Sequence, residues 1–223
     1  MEKYYAVRKG RKPGIYTDWE TCKKQVHGFG DAQYKSFKAL DEANSYLKGS
    51  VEKVIQSDDN FAYVDGSYDA STGMYGFGGF LRYKKDGVVK FEVFRGSGKN
   101  SELAAMRNVG GEIKGCEAAV RTAINLGLKE LKIYYDYAGI ANWATDAWKC
   151  NKDATQAYKN YMRDAMKYID IQFCKVAGHT GVLGNEIADN LAKEASGVSG
   201  EFHLDEYWIE ELNKNFGDNI YGF

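Results

Sequence analysis

The hydrophobic pattern of residues 61–196 changes from short apolar runs to helical spacing. Lys85-Asp86-Gly87, between two apolar runs, is typical of a hairpin turn. From Gly111 to Leu126 the apolar residues recur at a spacing that places them on one helix face. In chain order the pattern predicts strands at 61–68, 76–84 and 88–95, a helix at 111–126, a strand at 131–136, helices at 139–148 and 154–168, a strand at 171–176, and a helix at 186–195 capped by Asn185. This order predicts an α/β fold with a mixed five-stranded sheet and helices on its faces.

The first fifty residues predict a second, small α/β unit. Strands are expected at Tyr4–Val7, at Ile15-Tyr16 and at Tyr34–Phe37. Thr17 and Glu20 fit a capping box for a helix that runs to about Val26 and stops near Gly28, and another helix is expected at 41–47. The expected organisation is a small domain at 1–49, a polar linker at 50–60, a larger domain at 61–197 and an acidic extension at 198–223.

Charge is distributed unevenly along the chain. The first fifty residues contain ten lysines and arginines against six acids, whereas residues 200–223 contain one basic residue against six acids. A basic small domain suggests a polyanionic partner.

Composition excludes several classes of protein. The chain has 223 residues, one proline and 44% hydrophobic residues, which suits a globular protein that buries a core. Neither a signal peptide nor an apolar run of membrane-spanning length is evident. The four cysteines stand far apart without a CxxC pair, so a zinc knuckle or a dense disulfide framework is not expected; they are Cys22, Cys116, Cys150 and Cys174. We expect a cytoplasmic protein.

Four acids occupy positions where strand ends and helix starts could bring them together. Asp65 follows an apolar strand and precedes Gly66, and Asp136 ends another strand. Glu112 and Asp189 lie near the starts of predicted helices. Clustered carboxylates repel one another and need divalent cations or raised pKa values. Each acid also has an ordinary interpretation, as a turn residue or as a complement to a helix dipole.

The ordered motifs resemble those of type 1 ribonuclease H. The matching segments are Tyr63-Val64-Asp65-Gly66-Ser67, Gly111-Glu112-Ile113, Ile133-Tyr134-Tyr135-Asp136, Gly178-His179-Thr180-Gly181 and Gly184-Asn185-Glu186-Ile187-Ala188-Asp189. The resemblance covers about 61–196. It implies an endonuclease that cuts the RNA strand of RNA/DNA hybrids by two-metal-ion catalysis and leaves 3′-hydroxyl and 5′-phosphate ends.

The resemblance also implies roles for individual residues. Asp65, Glu112, Asp136 and Asp189 would bind two Mg²⁺ ions, with Mn²⁺ as an alternative. His179 matches the histidine of the family's mobile loop, which is associated with proton handling or product release, and is otherwise an ordinary loop residue. Ser67 and Asn108 would contact the nucleic acid. Glu117 is the rival of Glu112 for the helix carboxylate, but the Gly-Glu-Ile match favours Glu112.

Two features depart from the family pattern. After Asp136 the chain has Tyr137-Ala138-Gly139 where many members have Ser and a longer helix start, which puts phosphate contacts there in doubt. The tryptophan- and lysine-rich substrate handle of some members is missing, and we expect Trp143 and Trp148 in the core.

The small domain resembles the hybrid-binding domain at the front of eukaryotic ribonucleases H and of viroplasmin-like proteins, over roughly residues 3–48. The resemblance implies aromatic contacts from Tyr5, Trp19 and Tyr34 to the nucleic acid and a phosphate contact from Lys35. Ser36 stands where a second lysine is common. Tyr5 as a core residue and Trp19 as a helix-start residue are the alternatives. The implied partner of the protein is an RNA/DNA hybrid, and this domain could also bind double-stranded RNA. We expect neither a membrane association nor an obligate protein partner.

Two other functions are compatible with these motifs. One is a catalytically inactive hybrid-binding protein, which the complete set of four acids disfavours. The other is a transposase- or integrase-like enzyme of the same broad fold, which the block from Gly178 to Asp189 disfavours.

Residues 201–223 have no counterpart in the family that we can place, but their apolar residues could form a helix face packed on the protein; these are Leu204, Tyr207, Trp208, Ile209 and Leu212.

Overall fold

The computed structural model describes residues 3–29, 32–47, 59–176, 182–198 and 206–217. These residues fall into two compact units. The first contains the described residues up to Leu47 together with 182–186, and the second contains the described residues of 59–176 and those from Ile187 onward.

The first unit is a three-stranded antiparallel sheet with two helices. Its elements are β1 (Tyr4–Lys9), β2 (Gly14–Tyr16), α1 (Trp19–Val26), β3 (Gln33–Phe37) and α2 (Leu40–Leu47), and the strand order is β2-β1-β3. The expected capping box of Thr17 and Glu20 is wrong, because the Asp18 carboxylate caps α1 by accepting the amide hydrogen of Thr21 at 2.8 Å. Gly28 takes a φ of +70°, which a glycine adopts without strain where the helix ends.

The second unit is built on a mixed five-stranded sheet. Its strands are β4 (Phe61–Asp69), β5 (Met74–Lys85), β6 (Val88–Gly98), β7 (Glu130–Tyr135) and β8 (Asp170–Lys175), in the order β6-β5-β4-β7-β8. β4 to β6 are antiparallel, whereas β7 runs parallel to both β4 and β8. The predicted mixed sheet and the small preceding α/β domain are therefore confirmed.

The helices differ from the predicted ones mainly at their ends. They are α3 (Ser101–Ala104), α4 (Asn108–Asn125), α5 (Gly139–Ala144), α6 (Asp153–Ala165), α7 (Leu183–Ser196) and α8 (Glu206–Phe216). The short α3, capped by Asn100, was not predicted. α4 begins three residues before the expected start, so Glu112 lies in its second turn rather than its first. Asn185 lies inside α7, so the prediction that it caps this helix is wrong.

The two faces of the larger sheet bury different side chains. One face packs under α4 to α6, where the buried Tyr158 hydroxyl shares its one hydrogen between the Ile140 carbonyl oxygen and the Cys116 sulfur, at 3.1 and 3.2 Å. The other face carries a cluster of aromatic rings, completed by Phe216 of α8; it consists of Phe61, Tyr63, Phe80, Tyr134 and Phe216. Trp143 is buried as expected, but Trp148 is exposed, because it follows the end of α5 rather than continuing that helix.

Glycines let two helices approach the sheet closely. A Cβ atom on Gly111 of α4 would lie 2.0 Å from the carbonyl oxygen of Gly76, and one on Gly66 would lie 2.4 Å from the amide nitrogen of Glu112. On the opposite face, a Cβ on Gly76 would lie 2.4 Å from the carbonyl oxygen of Ala192 in α7. Backbone therefore packs directly against backbone at both helices, and no larger residue fits without moving one of them.

We predict opposite effects for two alanine substitutions in α4. Gly111→Ala should destabilise the protein by roughly 2 kcal/mol or more, because the added methyl group overlaps backbone that cannot rotate away. Gly115→Ala should be neutral or stabilise by up to about 1 kcal/mol, because its Cβ would meet nothing closer than 3.5 Å and alanine favours the helix. Urea unfolding of both variants checks this, and equal stability of the two would contradict the close approach.

Candidate active site

Asp65 is buried in the middle of β4, not at the strand end that the sequence suggested. It is 5% exposed, and β4 continues beyond it to Asp69 in register with β5. The parallel pairing of β4 with β7, however, ends at Tyr63 opposite Tyr134. Asp65 therefore lies just past the point where β7 stops, in the kind of crevice where α/β sheets place ligands.

Glu112 and Asp136 reach this crevice from a helix and from a strand end. Glu112 is 4% exposed, and its position beside β4 follows from the contact between α4 and Gly66. Asp136 follows directly after β7. One carboxylate oxygen from each of Asp65, Glu112 and Asp136 lies within 4.8 Å of the others. Three acids that are far apart in the chain therefore form one cluster, which we call the acidic triad.

Burial and mutual repulsion raise the pKa values of two members of the triad, Asp65 and Glu112. Desolvation is the main cause for Asp65, whose pKa lies well above its ordinary value, and the charges of Asp136 and Asp189 add to it. Desolvation, followed by the charges of Asp136 and Asp65, raises the pKa of Glu112 to about 9, and a hydrogen bond from the Tyr137 amide offsets part of this rise. Such acids are stable as carboxylates only beside positive charge.

The triad fits a divalent cation. Its three candidate ligand atoms are carboxylate oxygens, which Mg²⁺ and Mn²⁺ prefer. Glu112 Oε2 is buried and has no hydrogen-bond partner, although buried polar atoms almost always have one. A cation in the crevice would satisfy this atom and neutralise the triad.

Asp189 is close to the triad but outside the 4.8 Å group. It lies on α7, and its charge contributes to the raised pKa of Asp65. Its Oδ2 atom forms an ion pair with the Lys193 ammonium group at 2.7 Å, one helical turn further along. The structure therefore brings together three of the four predicted metal ligands and pairs the fourth with a lysine.

The remaining predicted residues of the larger unit differ in what they can offer. Glu117, the rival helix acid, pairs with Lys114 outside the triad. Asn108 is exposed as the first residue of α4. Ser67 is buried and accepts a hydrogen bond from the Ser196 hydroxyl at 3.0 Å, which ties α7 to β4. His179 lies outside the described residues.

An aromatic row lies on the small unit. Trp19 has its ring centroid 5.6 Å from that of Tyr5 and 5.7 Å from that of Tyr34. Trp19 is 38% exposed and Tyr34 is 45% exposed, so this row presents apolar surface to solvent. Lys35 is exposed but follows Tyr34 directly in β3, and successive strand residues point to opposite faces. Its ammonium group accordingly lies over the ring of Phe37, two residues further on.

Two features of the larger unit were missed by the sequence analysis. One is Lys193, although a basic residue four positions after a helical acid is a recognisable ion-pair spacing. The other is a cleft of about 380 Å³ beside Tyr137, whose lining includes Trp143 and three cations and no carboxylate; the cations are Arg107, Lys149 and Lys152. Arg107 has a φ of +56°, a strained conformation that tends to occur at functional sites.

The mixed sheet, its flanking helices and the acidic crevice define an α/β protein with a ribonuclease H-like fold and a candidate metal site. The model of the RNase H family matches residues 57–197, and the model of the Ribonuclease H1 N-terminal domain matches residues 3–47. The chain belongs to the RNase H family and is a ribonuclease H of type 1 with an N-terminal hybrid-binding domain. This family is metal-dependent, in keeping with the acidic triad.

Individual relatives extend over most of the chain. Human Ribonuclease H1 is 25% identical over an alignment 255 residues long, which covers 86% of this chain and 89% of the human protein. Ribonuclease H of Francisella tularensis subsp. novicida is 33% identical over 147 residues, which cover 60% of this chain and 88% of that protein. The crystal structure of RNase H1 from Halobacterium salinarum covers 63% of this chain and 99% of its own, with a TM-score of 0.52 and 22% identity, and supports the fold alone.

Among the residues that the structure describes, no helix is both long enough and apolar enough to cross a membrane.

We predict a pH-dependent stability difference between the wild type and Glu112→Gln in EDTA. Because folding raises the pKa of Glu112 from about 4.5 to about 9, the protonated side chain stabilises the fold at low pH, and this contribution is lost as the pH rises through that interval. The glutamine variant has no such loss. It should therefore melt roughly 5 °C above the wild type near pH 9, and this difference should shrink towards pH 5.

Glu117→Gln is the control for this measurement. It removes an acid of the same helix that pairs with Lys114, and should shift the melting temperature by less than about 2 °C at either pH. A difference between the wild type and Glu112→Gln that stays constant across the pH range would show that Glu112 is not held in a desolvated site.

Proposed function

We propose that this ribonuclease H is an endonuclease that hydrolyses the RNA strand of RNA/DNA hybrids with two divalent cations, leaving 3′-hydroxyl and 5′-phosphate ends. The observation that carries the proposal is the acidic triad, in which two buried carboxylates and one half-buried carboxylate lie within 4.8 Å of one another and one buried oxygen lacks a partner. Membership in the RNase H family supports the reaction class.

All four acids would bind the cations in this proposal. Asp65, Glu112 and Asp136 would hold the cations, Mg²⁺ or Mn²⁺, together with Asp189 once its carboxylate is available. Bound there, two such ions supply an activated water and stabilise the leaving oxygen of a phosphodiester. Because Asp65 and Glu112 are buried, their carboxylates have few waters to lose, and the rigid sheet keeps them in place.

The cationic cleft supports binding of the nucleic-acid backbone. Three cationic side chains and no carboxylate line the cleft. Lysine and arginine neutralise phosphates and release the counterions bound to them. The cleft includes Tyr137, the residue after Asp136, so it adjoins the acidic triad. Asn108 and Ser67, which the family resemblance assigns to nucleic-acid contacts, keep that role as a proposal; for Ser67, its existing bond to Ser196 would have to be shared.

The small domain would hold the same substrate. Trp19 and Tyr34 are exposed and, with the partly buried Tyr5 beside them, offer flat surfaces on which sugars and bases can pack. The phosphate contact that the family resemblance assigns to Lys35 would come from the opposite face of β3. The 2′-hydroxyl distinguishes RNA from DNA, and the same surface could accept double-stranded RNA. Tethering a second binding domain raises the apparent affinity by roughly 10²–10⁴-fold through effective concentration.

Several expectations stay predictions. They are the role of His179 in proton handling or product release, the domain boundaries at 49, 60 and 197, the cytoplasmic location, and the absence of an obligate protein partner.

We predict that Asp136→Asn lowers cleavage of an RNA/DNA hybrid in Mg²⁺ by roughly 10²-fold or more. The substitution keeps the size of the side chain but removes one charge from the triad, and with it a ligand for the cation. The measurement is the rate of cutting of an end-labelled RNA strand, together with hybrid affinity, which should change little.

Asp170→Asn is the matched control, because Asp170 is an exposed acid at the opposite end of the parallel strands, paired with Glu130 at the start of β7. It should cut at the wild-type rate, and EDTA should stop cutting by every variant. Near-wild-type cutting by Asp136→Asn would remove Asp136 from the site. A wild-type chain that binds the hybrid without cutting it in Mg²⁺ or Mn²⁺ would instead support the inactive hybrid-binding protein.

We predict that Trp19→Ala raises the Kd for the hybrid roughly tenfold at fixed salt and leaves the cutting rate at saturating hybrid unchanged. The loss follows from removing the central ring of the exposed aromatic row, since one aromatic stacking contact is worth about 1–3 kcal/mol. Tyr168→Ala removes an exposed aromatic residue outside this row and should bind like the wild type. Equal affinities of Trp19→Ala and the wild type would remove the row from the binding surface.

A further inference from the structure

Lys193 is a cation held beside the acidic triad by the fold itself. Its ammonium group lies 2.7 Å from Asp189 Oδ2, and its side chain is only 24% exposed. Its charge also acts on Asp65, where it lowers a pKa that burial and neighbouring acids raise. Lys193 therefore interacts with Asp189 directly and with the triad at longer range.

The backbone of Lys193 has little freedom to move away. The Ser196 hydroxyl lies 3.0 Å from both the Lys193 carbonyl oxygen and the Ser67 hydroxyl, and its one hydrogen is shared between these two acceptors. α7 also packs against β5 at Gly76 and Gly78, where a Cβ atom would overlap the helix backbone. Any movement of the ammonium group must therefore come from rotation of the side chain.

We propose that Lys193 is a positioning residue that acts as an internal counterion, holding Asp189 in the cation-free protein and competing with a divalent cation for this carboxylate. The inference rests on the proposed function, because it takes Asp189 as a ligand for one of the cations. The lysine compensates the acids until a cation arrives, and the ammonium group has to leave Asp189 before this oxygen can bind that cation. Lys193 thus lowers the affinity of the empty site for metal and stabilises the protein without it.

The test is a titration of Mn²⁺ alone into the full chain, without nucleic acid, by calorimetry. Lys193→Met keeps the length of the side chain and removes its charge, and it should bind Mn²⁺ roughly tenfold more tightly than the wild type, because a positive charge beside the site no longer repels the ion. Lys193→Arg keeps the charge and should stay within about threefold of the wild type. In EDTA, Lys193→Met should melt at a lower temperature than the wild type, since the acids lose their counterion.

Two controls separate this role from the loss of any helix ion pair. Lys167→Met breaks an exposed pair with Asp164 on α6 and should leave Mn²⁺ affinity unchanged. In an Asp189→Asn background, the gain from Lys193→Met should fall well below tenfold, because the carboxylate for which the lysine competes is gone. A gain that persists undiminished in that background would overturn the competition for Asp189.

The remaining outcomes are distinguishable from failure of the proposed function. Equal Mn²⁺ affinity of Lys193→Met and the wild type overturns the inference, and if hybrid affinity falls instead, Lys193 belongs to the nucleic-acid surface. If the wild type cuts hybrid but Lys193→Met binds Mn²⁺ no more tightly than the wild type, the inference fails and the proposed function stands. Tighter Mn²⁺ binding in a protein that cuts no hybrid supports the counterion and overturns only the proposed substrate.

Discussion

The acidic triad depends on the contact of α4 with the sheet at glycines. Glu112 reaches Asp65 and Asp136 only because the helix backbone lies directly on β4 and β5, where Gly66 and Gly111 leave no side chain between them. With any larger residue the helix would stand further from the sheet and would carry the Glu112 carboxylate away from the other two. Because protein interiors are closely packed, this spacing cannot be recovered by small adjustments elsewhere.

Bringing the acids together has an electrostatic cost that the rest of the site has to offset. Buried carboxylates lose their hydration and repel one another, which is why the pKa of Glu112 rises to about 9. Without a cation, the described residues reduce this cost by protonation, by the Tyr137 amide and by Lys193. None of these gives Glu112 Oε2 a partner. The side chains of the site neutralise the negative charge of the carboxylates only in part, so the site is suited to bind cations that neutralise the rest.

The sequence predicted the order of elements better than the geometry of the acids. Apolar runs around Asp65 and before Asp136 marked two neighbouring strands, and the sheet they predict is observed. The position of Asp65 within β4 could not be predicted, since it depends on where the partner strand β7 ends, and strand pairing is a long-range property. Two local relations can be read from residue spacing. The i,i+4 spacing of Asp189 and Lys193 indicates an ion pair, and the alternation of strand residues places Tyr34 and Lys35 on opposite faces of β3. The cationic cleft combines side chains of α4, α5 and α6 with loop residues that include the strained Arg107, and no local pattern indicates it.

The last described helix shows why family resemblance is a poor guide to where a fold ends. α8 has no placed counterpart, yet Leu212 and Phe216 are buried, which confirms that this segment packs on the protein. The buried Arg82 of β5 donates hydrogen bonds from Nε to the Phe216 carbonyl oxygen at 3.0 Å and from a terminal nitrogen to that of Asp59 at 2.7 Å. A buried guanidinium group requires such acceptors, because leaving it unpaired would be costly. Arg82 therefore ties Asp59, two residues before β4, and the end of α8 to the same strand, and α8 covers the aromatic face of the sheet whose other face supports α4.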